Sequence, residues 1–240
     1  MTKVLEVNNL TGGYGAIQIL NGIDLYVDHG EFVTIIGPNG CGKSTFIKII
    51  FGMANRYEGK IRYKNKDITG WRADTLVNNG IAYVPQTNNI FPSLTVYENL
   101  QMGGLNLLNK ELSERISWAY EIFPDVEKRS KDVAESLSGG ERQMLAISRA
   151  LISNPSFMML DEPTAALSPK FRELIIHKIS ELRSIGITVL IVEQNARLSL
   201  SLSDRGYIFS NGKVIHTSTA LEILNDKNIG RYFLGTQNKN

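Results

Sequence analysis

The sequence predicts an α/β fold organised on a largely parallel sheet, and three observations predict it. First, an apolar β-branched run, Phe32-Val33-Thr34-Ile35-Ile36, enters the glycine-rich stretch Gly37-Pro38-Asn39-Gly40-Cys41-Gly42-Lys43-Ser44-Thr45, after which residues 45–51 read as a helix. Second, strand-like apolar runs at 157–160 and 188–192 flank a helical pattern at 169–184, the alternation expected of parallel strands joined by helices. Third, runs at 4–10 and 19–27, the latter alternating through Ile23, Leu25 and Val27, predict an early antiparallel pair.

Length and composition set the outer limits. With 240 residues, 42% of them apolar, the chain reads as one domain over 1–240 with a substantial core. A net charge of +2 gives no electrostatic case for a nucleic-acid partner. The lone Cys41 excludes an intrachain disulfide and suits a reducing compartment. With no signal-like apolar N-terminus and no run of about 18 apolar residues, the expectation is a chain neither exported nor membrane-spanning.

Taken in order, Tyr14 lies in the turn Gly13-Tyr14-Gly15 between the first two strands. From the residues alone it is either a base-stacking group or a packing group. The stretch from Gly37 to Thr45 matches Gly, four residues, Gly, Lys, Ser or Thr, in the strand–loop–helix context that the pattern requires. Its glycines let successive amides converge on phosphate oxygens at a helix N-terminus, where the backbone dipole favours an anion. Gly37, Asn39, Gly40, Cys41, Gly42, Lys43, Ser44 and Thr45 are therefore the candidate triphosphate cradle. Lys43 is placed for the β- and γ-phosphates, Ser44 for Mg²⁺ and Thr45 for the α-phosphate. Cys41 reads as a small packing group of the loop.

Gly59-Lys60-Ile61-Arg62-Tyr63 predicts an edge strand, and Ile81-Ala82-Tyr83-Val84 a buried one that ends at Pro85. Gln86 hangs from that strand end, either as a Mg²⁺ or water ligand or as a solvated loop residue. Residues 88–154 turn helical: 95–102, then 111–123 with Leu112, Ile116, Ala119, Tyr120 and Phe123 on one face. This stretch is predicted as an inserted helical subdomain. Within it, Leu137-Ser138-Gly139-Gly140-Glu141 opens a helix at 142–152, as a second anion site or an ordinary N-cap.

The strand at 157–160 delivers Asp161 and Glu162 at its carboxyl end, where α/β sheets place ligand sites. Asp161 is the candidate Mg²⁺ ligand and Glu162 the candidate general base. Gln194 follows the strand at 188–192. Asn211-Gly212 between two apolar runs predicts a type I′ hairpin, and residues 218–224 a short capped helix. Residues 236–240 read as a frayed polar end. His29, His177 and His216 have no metal-ligand spacing.

The phosphate loop, Gln86, Leu137-Ser138-Gly139-Gly140-Glu141 and the 157–163 strand end, in this order and at these separations, resemble the nucleotide-binding subunits of ABC transporters. The resemblance covers nearly the whole chain, and the Leu-Ser-Gly-Gly signature is its discriminating element. It implies a P-loop NTPase fold of the ABC-ATPase type, with an N-terminal antiparallel β subdomain and the inserted helical signature subdomain. It also implies Mg²⁺-dependent ATP hydrolysis, with Tyr14 stacking on adenine. Ser138, Gly139 and Gly140 would contact the γ-phosphate held by a second, head-to-tail ATPase subunit.

Within that family the chain is similar to importers of branched-chain amino acids and related polar solutes such as urea. The residues are Tyr14-Gly15-Ala16-Ile17, the stretch from Ile90 to Leu100, Val192-Glu193-Gln194-Asn195-Ala196 and Tyr232-Phe233-Leu234-Gly235. The implied partners are two transmembrane permease subunits, docked near Phe91–Leu100 through a coupling helix, and a solute-binding protein, with the ATPase on the cytoplasmic face of the membrane. Two positions depart from the general family pattern. Gln194 stands where a γ-phosphate-contacting His is common, and Ser168 where an Asp is common. A soluble ABC-type ATPase of DNA repair or translation is the rival, disfavoured by a single cassette with almost no net charge.

Overall fold

The computed structural model describes residues 2–226, so the expectations at 232–235 and 236–240 lie outside the described residues. The chain opens with β1 (Lys3–Tyr14) and β2 (Ile17–Asp28), paired antiparallel. β1 runs past its predicted end because Asn9, at φ 48°, forms a bulge that resets the register instead of terminating the strand. β3 (Phe32–Ile36) follows, then the glycine-rich loop and α1 (Lys43–Ile50).

β4 (Asn55–Tyr63) begins four residues before its apolar signal, because Asn55 and Arg56 pair with Gly13 and Gly12 of β1. A Cβ on Gly12 would stand 2.3 Å from the Asn55 carbonyl oxygen, so this close approach needs glycine. β4 is not a free edge at its far end: β5 (Lys66–Asp67) pairs there with Arg62 and Tyr63. The first sheet has the order β2-β1-β4-β5.

α2 (Ala73–Asn78) precedes β6 (Ile81–Val84). Then come α3 (Val96–Met102), α4 (Asn109–Ile122), α5 (Pro124–Lys128), a 3₁₀ turn at Ala134–Ser136 and α6 (Gly139–Leu151). The predicted stripe of α4 faces inward, with Ile116, Ala119 and Phe123 buried.

β7 (Phe157–Asp161) leads to α7 (Pro169–Glu181), which tightens into a 3₁₀ turn at Leu182–Ile185 where continuous α-helix was expected. β8 (Thr188–Glu193), α8 (Ala196–Leu200), β9 (Arg205–Ser210), β10 (Lys213–Thr219) and α9 (Ala220–Asn225) complete the described chain. Asn211 and Gly212 both have positive φ, 48° and 73°, as the type I′ hairpin demands. Thr219, rather than Ser218, caps α9 by accepting from the Glu222 amide.

The second sheet has the order β10-β9-β3-β8-β7-β6, parallel throughout except for the edge strand β10. Its interior strands are buried on both faces, so they read as continuous apolar runs that divide residue by residue. Phe157, Met159, Leu190 and Val192 face α1 and the first sheet, whereas Met158, Leu160, Val189 and Ile191 face α6 and α7. Arg205 joins the sheets, ion-paired with Glu31 and stacked 3.8 Å from the Tyr26 ring centroid. Because the strands are parallel, the carboxyl ends of β3, β6, β7 and β8 come to one rim.

Candidate functional site

The rim carries three side-chain groups, each delivered by the end of a strand. The first is the loop after β3. A Cβ on Gly37 would lie 2.3 Å from the Phe209 carbonyl oxygen, and Gly42 caps α1 at φ 105°, so both positions require glycine. Asn39 and Gly40 are exposed, whereas Cys41 is buried beneath the loop and burial pushes its thiol pKa up, in keeping with a packing role. Lys43 is 4% exposed, and its Nζ donates to the Gly37 and Pro38 carbonyl oxygens at 2.9 and 3.1 Å. The ammonium therefore sits at the centre of the loop whose amides precede it.

The second group joins α1 to β7. Ser44 Oγ donates to Asp161 Oδ1 at 2.6 Å, and the Tyr83 hydroxyl from β6 donates to Asp161 Oδ2 at 3.3 Å. Burial raises the Tyr83 pKa, the Asp161 carboxylate raises it further, and Tyr14 adds a smaller effect in the same direction. Tyr83 is thus held as a donor. A hydroxyl and a carboxylate in contact, both hard oxygen donors, fit a Mg²⁺ ion that takes its remaining ligands from substrate phosphates and water. Among the described residues there is no cluster of three or more His, Cys, Asp or Glu side chains suited to a metal.

The third group surrounds Glu162, the residue after β7. Gln86, two residues past β6, and Gln194, one past β8, each donate a side-chain amide to Glu162 Oε2 at 2.9 Å. The other carboxylate oxygen lies 4.0 Å from Lys43 Nζ. Glu162 is 7% exposed and has φ 46°, a left-handed conformation uncommon for a non-glycine residue and a form of strain found at functional sites. Residues separated by 76 and 32 positions meet at one oxygen.

Sequence reasoning missed Tyr83, Thr164 and Glu193. Glu193 Oε1 accepts from the Thr164 amide and hydroxyl at 3.0 and 2.8 Å, and its Oε2 accepts from the Gln194 amide at 3.2 Å. It thereby ties the loop after Glu162 to the residue carrying the Gln194 side chain. Burial raises the Glu193 pKa, and the Thr164 hydrogen bonds oppose that rise. A carboxylate closing an otherwise apolar strand is the one signal that could have marked it.

Ser138, Gly139 and Gly140 stand apart. Ser138 caps α6 in a reciprocal box with Glu141, whose carboxylate accepts from the Ser138 amide at 2.8 Å. That hydrogen bond is the main cause holding the Glu141 pKa below its usual value. Ser138 and Gly139 are exposed, but Gly140 is buried against the Phe171 ring, where a Cβ would lie 2.2 Å from Phe171 Cδ1. Among the described residues no hydrogen bond or ion pair links this signature to Lys43, Asp161, Glu162, Gln86 or Gln194. Tyr14, at the end of β1, is 42% exposed, free to meet a planar group.

Comparison with known proteins gives one answer on kinship. The family model described as ABC transporter matches residues 20–165. The chain is 40% identical over 233 residues to a probable branched-chain amino acid transport ATP-binding protein of Archaeoglobus fulgidus, covering 97% of this chain and 99% of that one. It is also 36% identical to a lipopolysaccharide export system ATP-binding protein of Haemophilus influenzae, with 99% of each covered. Its fold superposes on an ATP-binding cassette of an ABC transporter in the ADP conformation with a TM-score of 0.88, at 30% identity over 98% of this chain and all of the other. It also superposes on a dimeric bacterial ABC transporter cassette with a TM-score of 0.79, at 29% identity over 90% of this chain and 98% of the other.

Proposed function

The chain belongs to the ABC transporter family, as an ATP-binding subunit that hydrolyses ATP, and on that premise we propose that it drives an importer of branched-chain amino acids. The observation that carries the catalytic reading is the Glu162 carboxylate, held by the Gln86 and Gln194 amides and facing Lys43. In this reading the loop amides from Gly37 to Thr45 cradle the triphosphate, Tyr14 stacks on adenine, and Lys43 neutralises charge on the β- and γ-phosphates. Ser44 and Asp161 would hold Mg²⁺ with Gln86, whose Oε1 makes no hydrogen bond among the described residues, and the ion would supply charge stabilisation to the phosphates.

Water attacks the γ-phosphorus in line, the new P–O bond forms as the bond to the β-phosphate oxygen breaks, and Glu162 takes the water proton. The two glutamines orient the carboxylate, and Gln194 also offers the γ-phosphate a neutral hydrogen bond. The site is incomplete in one chain. Among the described residues Ser138, Gly139 and Gly140 make no hydrogen bond to their own phosphate loop, and the likeness to a dimeric cassette supports a head-to-tail pair in which each signature covers the other subunit's ATP. The ATPase is placed at the cytoplasmic face of the membrane, beneath two permease subunits and served by a solute-binding protein. No described helix is long and apolar enough to cross a membrane, which agrees with a role carried out through such partners.

The relative at 40% identity supports branched-chain amino acids as the cargo. The lipopolysaccharide export relative at 36% supports a second reading, the same motor beneath other permease subunits. Affinity purification of the tagged chain from detergent-solubilised native membranes separates them. Recovery of two polytopic proteins and ATP turnover stimulated by them supports a transporter, and a solute-binding protein that takes leucine identifies the cargo. Recovery with lipopolysaccharide export components overturns the importer reading, and recovery with ribosomes or nucleic acid overturns transport.

A further inference from the structure

The turn that carries Tyr14 sits at a corner of the first sheet. β1 pairs with β4 only as far as Gly13, opposite Asn55, and β2, on the other side of β1, is an edge strand. Tyr14 therefore pairs with Ile17 across the turn Gly15-Ala16, with no backbone partner from β4. Hairpin tips with so few neighbours are the first part of a sheet to fray. Nor does the ring anchor itself: the Tyr14 side chain is exposed and makes no hydrogen bond and no ring contact among the described residues.

Two side chains of β4 do what its backbone does not. Asn55 Oδ1 accepts from the Gly15 amide at 3.2 Å. The Tyr57 hydroxyl donates to the Gly15 carbonyl oxygen at 2.7 Å and, at the longer distance of 3.3 Å, reaches that of Ile17. Both backbone polar groups of Gly15, a residue at φ 57°, are thus held by side chains from another strand. The register explains how Tyr57 gets there. Gly12 stands opposite Arg56 and Thr11 opposite Glu58, so Tyr57 is the extra residue of a bulge in β4. A bulge re-aims the side chain it carries, here toward the turn.

We infer that Asn55 and Tyr57 are positioning residues of the adenine subsite, which fix Gly15 and so hold the Tyr14 ring in place before nucleotide arrives. The inference rests on the reading of Tyr14 as the adenine platform and names what makes that platform rigid. A platform that is competent only part of the time binds more weakly in proportion to that fraction. Asn55 and Tyr57 therefore contribute to ATP affinity through the base and leave the phosphates alone.

The test measures the affinity of the full chain for ATP and for inorganic tripolyphosphate, each with Mg²⁺, as wild type, Tyr57→Phe, Asn55→Ala, Tyr14→Ala and the double variant of Tyr57→Phe with Tyr14→Ala. Tyr57→Phe removes one hydroxyl and is expected to weaken ATP about three- to tenfold, with tripolyphosphate affinity and turnover at saturating ATP within about twofold of wild type. Asn55→Ala, which removes the other anchor, is expected to show the same split. A general loosening of the fold would weaken both ligands alike. In the Tyr14→Ala background, Tyr57→Phe is expected to change ATP affinity by less than about twofold, because the group it acts through is gone. ATP affinity unchanged in Tyr57→Phe overturns the inference. So does an equal loss for tripolyphosphate, or a loss that persists without the Tyr14 ring. If Tyr14→Ala alone binds ATP as the wild type does, the adenine reading of Tyr14 falls and this inference with it.

Discussion

Glu162→Gln tests the catalytic reading most directly, because the geometry dictates what the change keeps and what it removes. The glutamine is nearly isosteric and retains both incoming amides only if its oxygen takes the place of Oε2, 2.9 Å from each donor. Its NH₂ then points toward Lys43, 4.0 Å away, which keeps its bonds to the Gly37 and Pro38 carbonyls. The lost attraction is about 4 kcal/mol at that distance in a medium of intermediate dielectric. Relief from burying a carboxylate offsets most of it, leaving folding changed by about 1 kcal/mol. The chemical step fares differently. Losing a general base removes about 10²–10⁴-fold in rate, or roughly 2.7–5.4 kcal/mol of barrier lowering. ATP affinity holds or tightens, since an anion beside the γ-phosphate is gone. Steady-state phosphate release and equilibrium ATP titration of the same preparation read the two effects separately. Turnover within about tenfold of wild type would mean that another group takes the proton, and lost ATP binding would mean that the carboxylate acts by positioning Lys43.

Lys43→Ala should weaken ATP binding about a hundredfold, and an unchanged titration refutes the assigned contact. Gly140→Ala drives a Cβ to 2.2 Å from Phe171 Cδ1 and should cost about 1–3 kcal/mol, or roughly 2–12 °C in Tm. Shortening the neighbour in the double variant with Phe171→Leu should restore much of it, and a single variant melting at the wild-type temperature removes the packing argument. Glu193 has a folded-state pKa above its usual 4.5 because it is buried. From about pH 4.5 up to that raised value the folded chain holds more protons than the unfolded one, so this carboxyl's contribution to stability falls as pH rises through the window. The Tm of Glu193→Gln relative to wild type should accordingly climb between pH 4 and pH 7, and a flat or falling difference contradicts the burial argument.

The phosphate loop was legible in the sequence because its chemistry is contiguous: strand, glycines, Lys43, Ser44 and helix follow one another, and local backbone geometry makes the cradle. The same holds for the Asn211-Gly212 hairpin, the inward stripe of α4 and the carboxylates closing β7, all set by short-range periodicity or turn chemistry. Short elements escaped for the complementary reason. α2, α5 and α8 span six, five and five residues, too few turns for a helical period to declare itself, and the first residues of β4 are exposed and polar, placed by pairing with Gly12 and Gly13 of a distant strand. The convergence of Gln86 and Gln194 on Glu162 belongs to the tertiary structure, since it follows from β6, β7 and β8 being parallel neighbours. The same packing made Gly140 a contact for Phe171, tied Tyr83 to Asp161, and brought Asn55 and Tyr57 of β4 to the turn carrying Tyr14. A sequence reports the residues that neighbours along the chain require; which strand ends share a rim, and which side chains hold a distant turn, depends on long-range packing that no local pattern encodes.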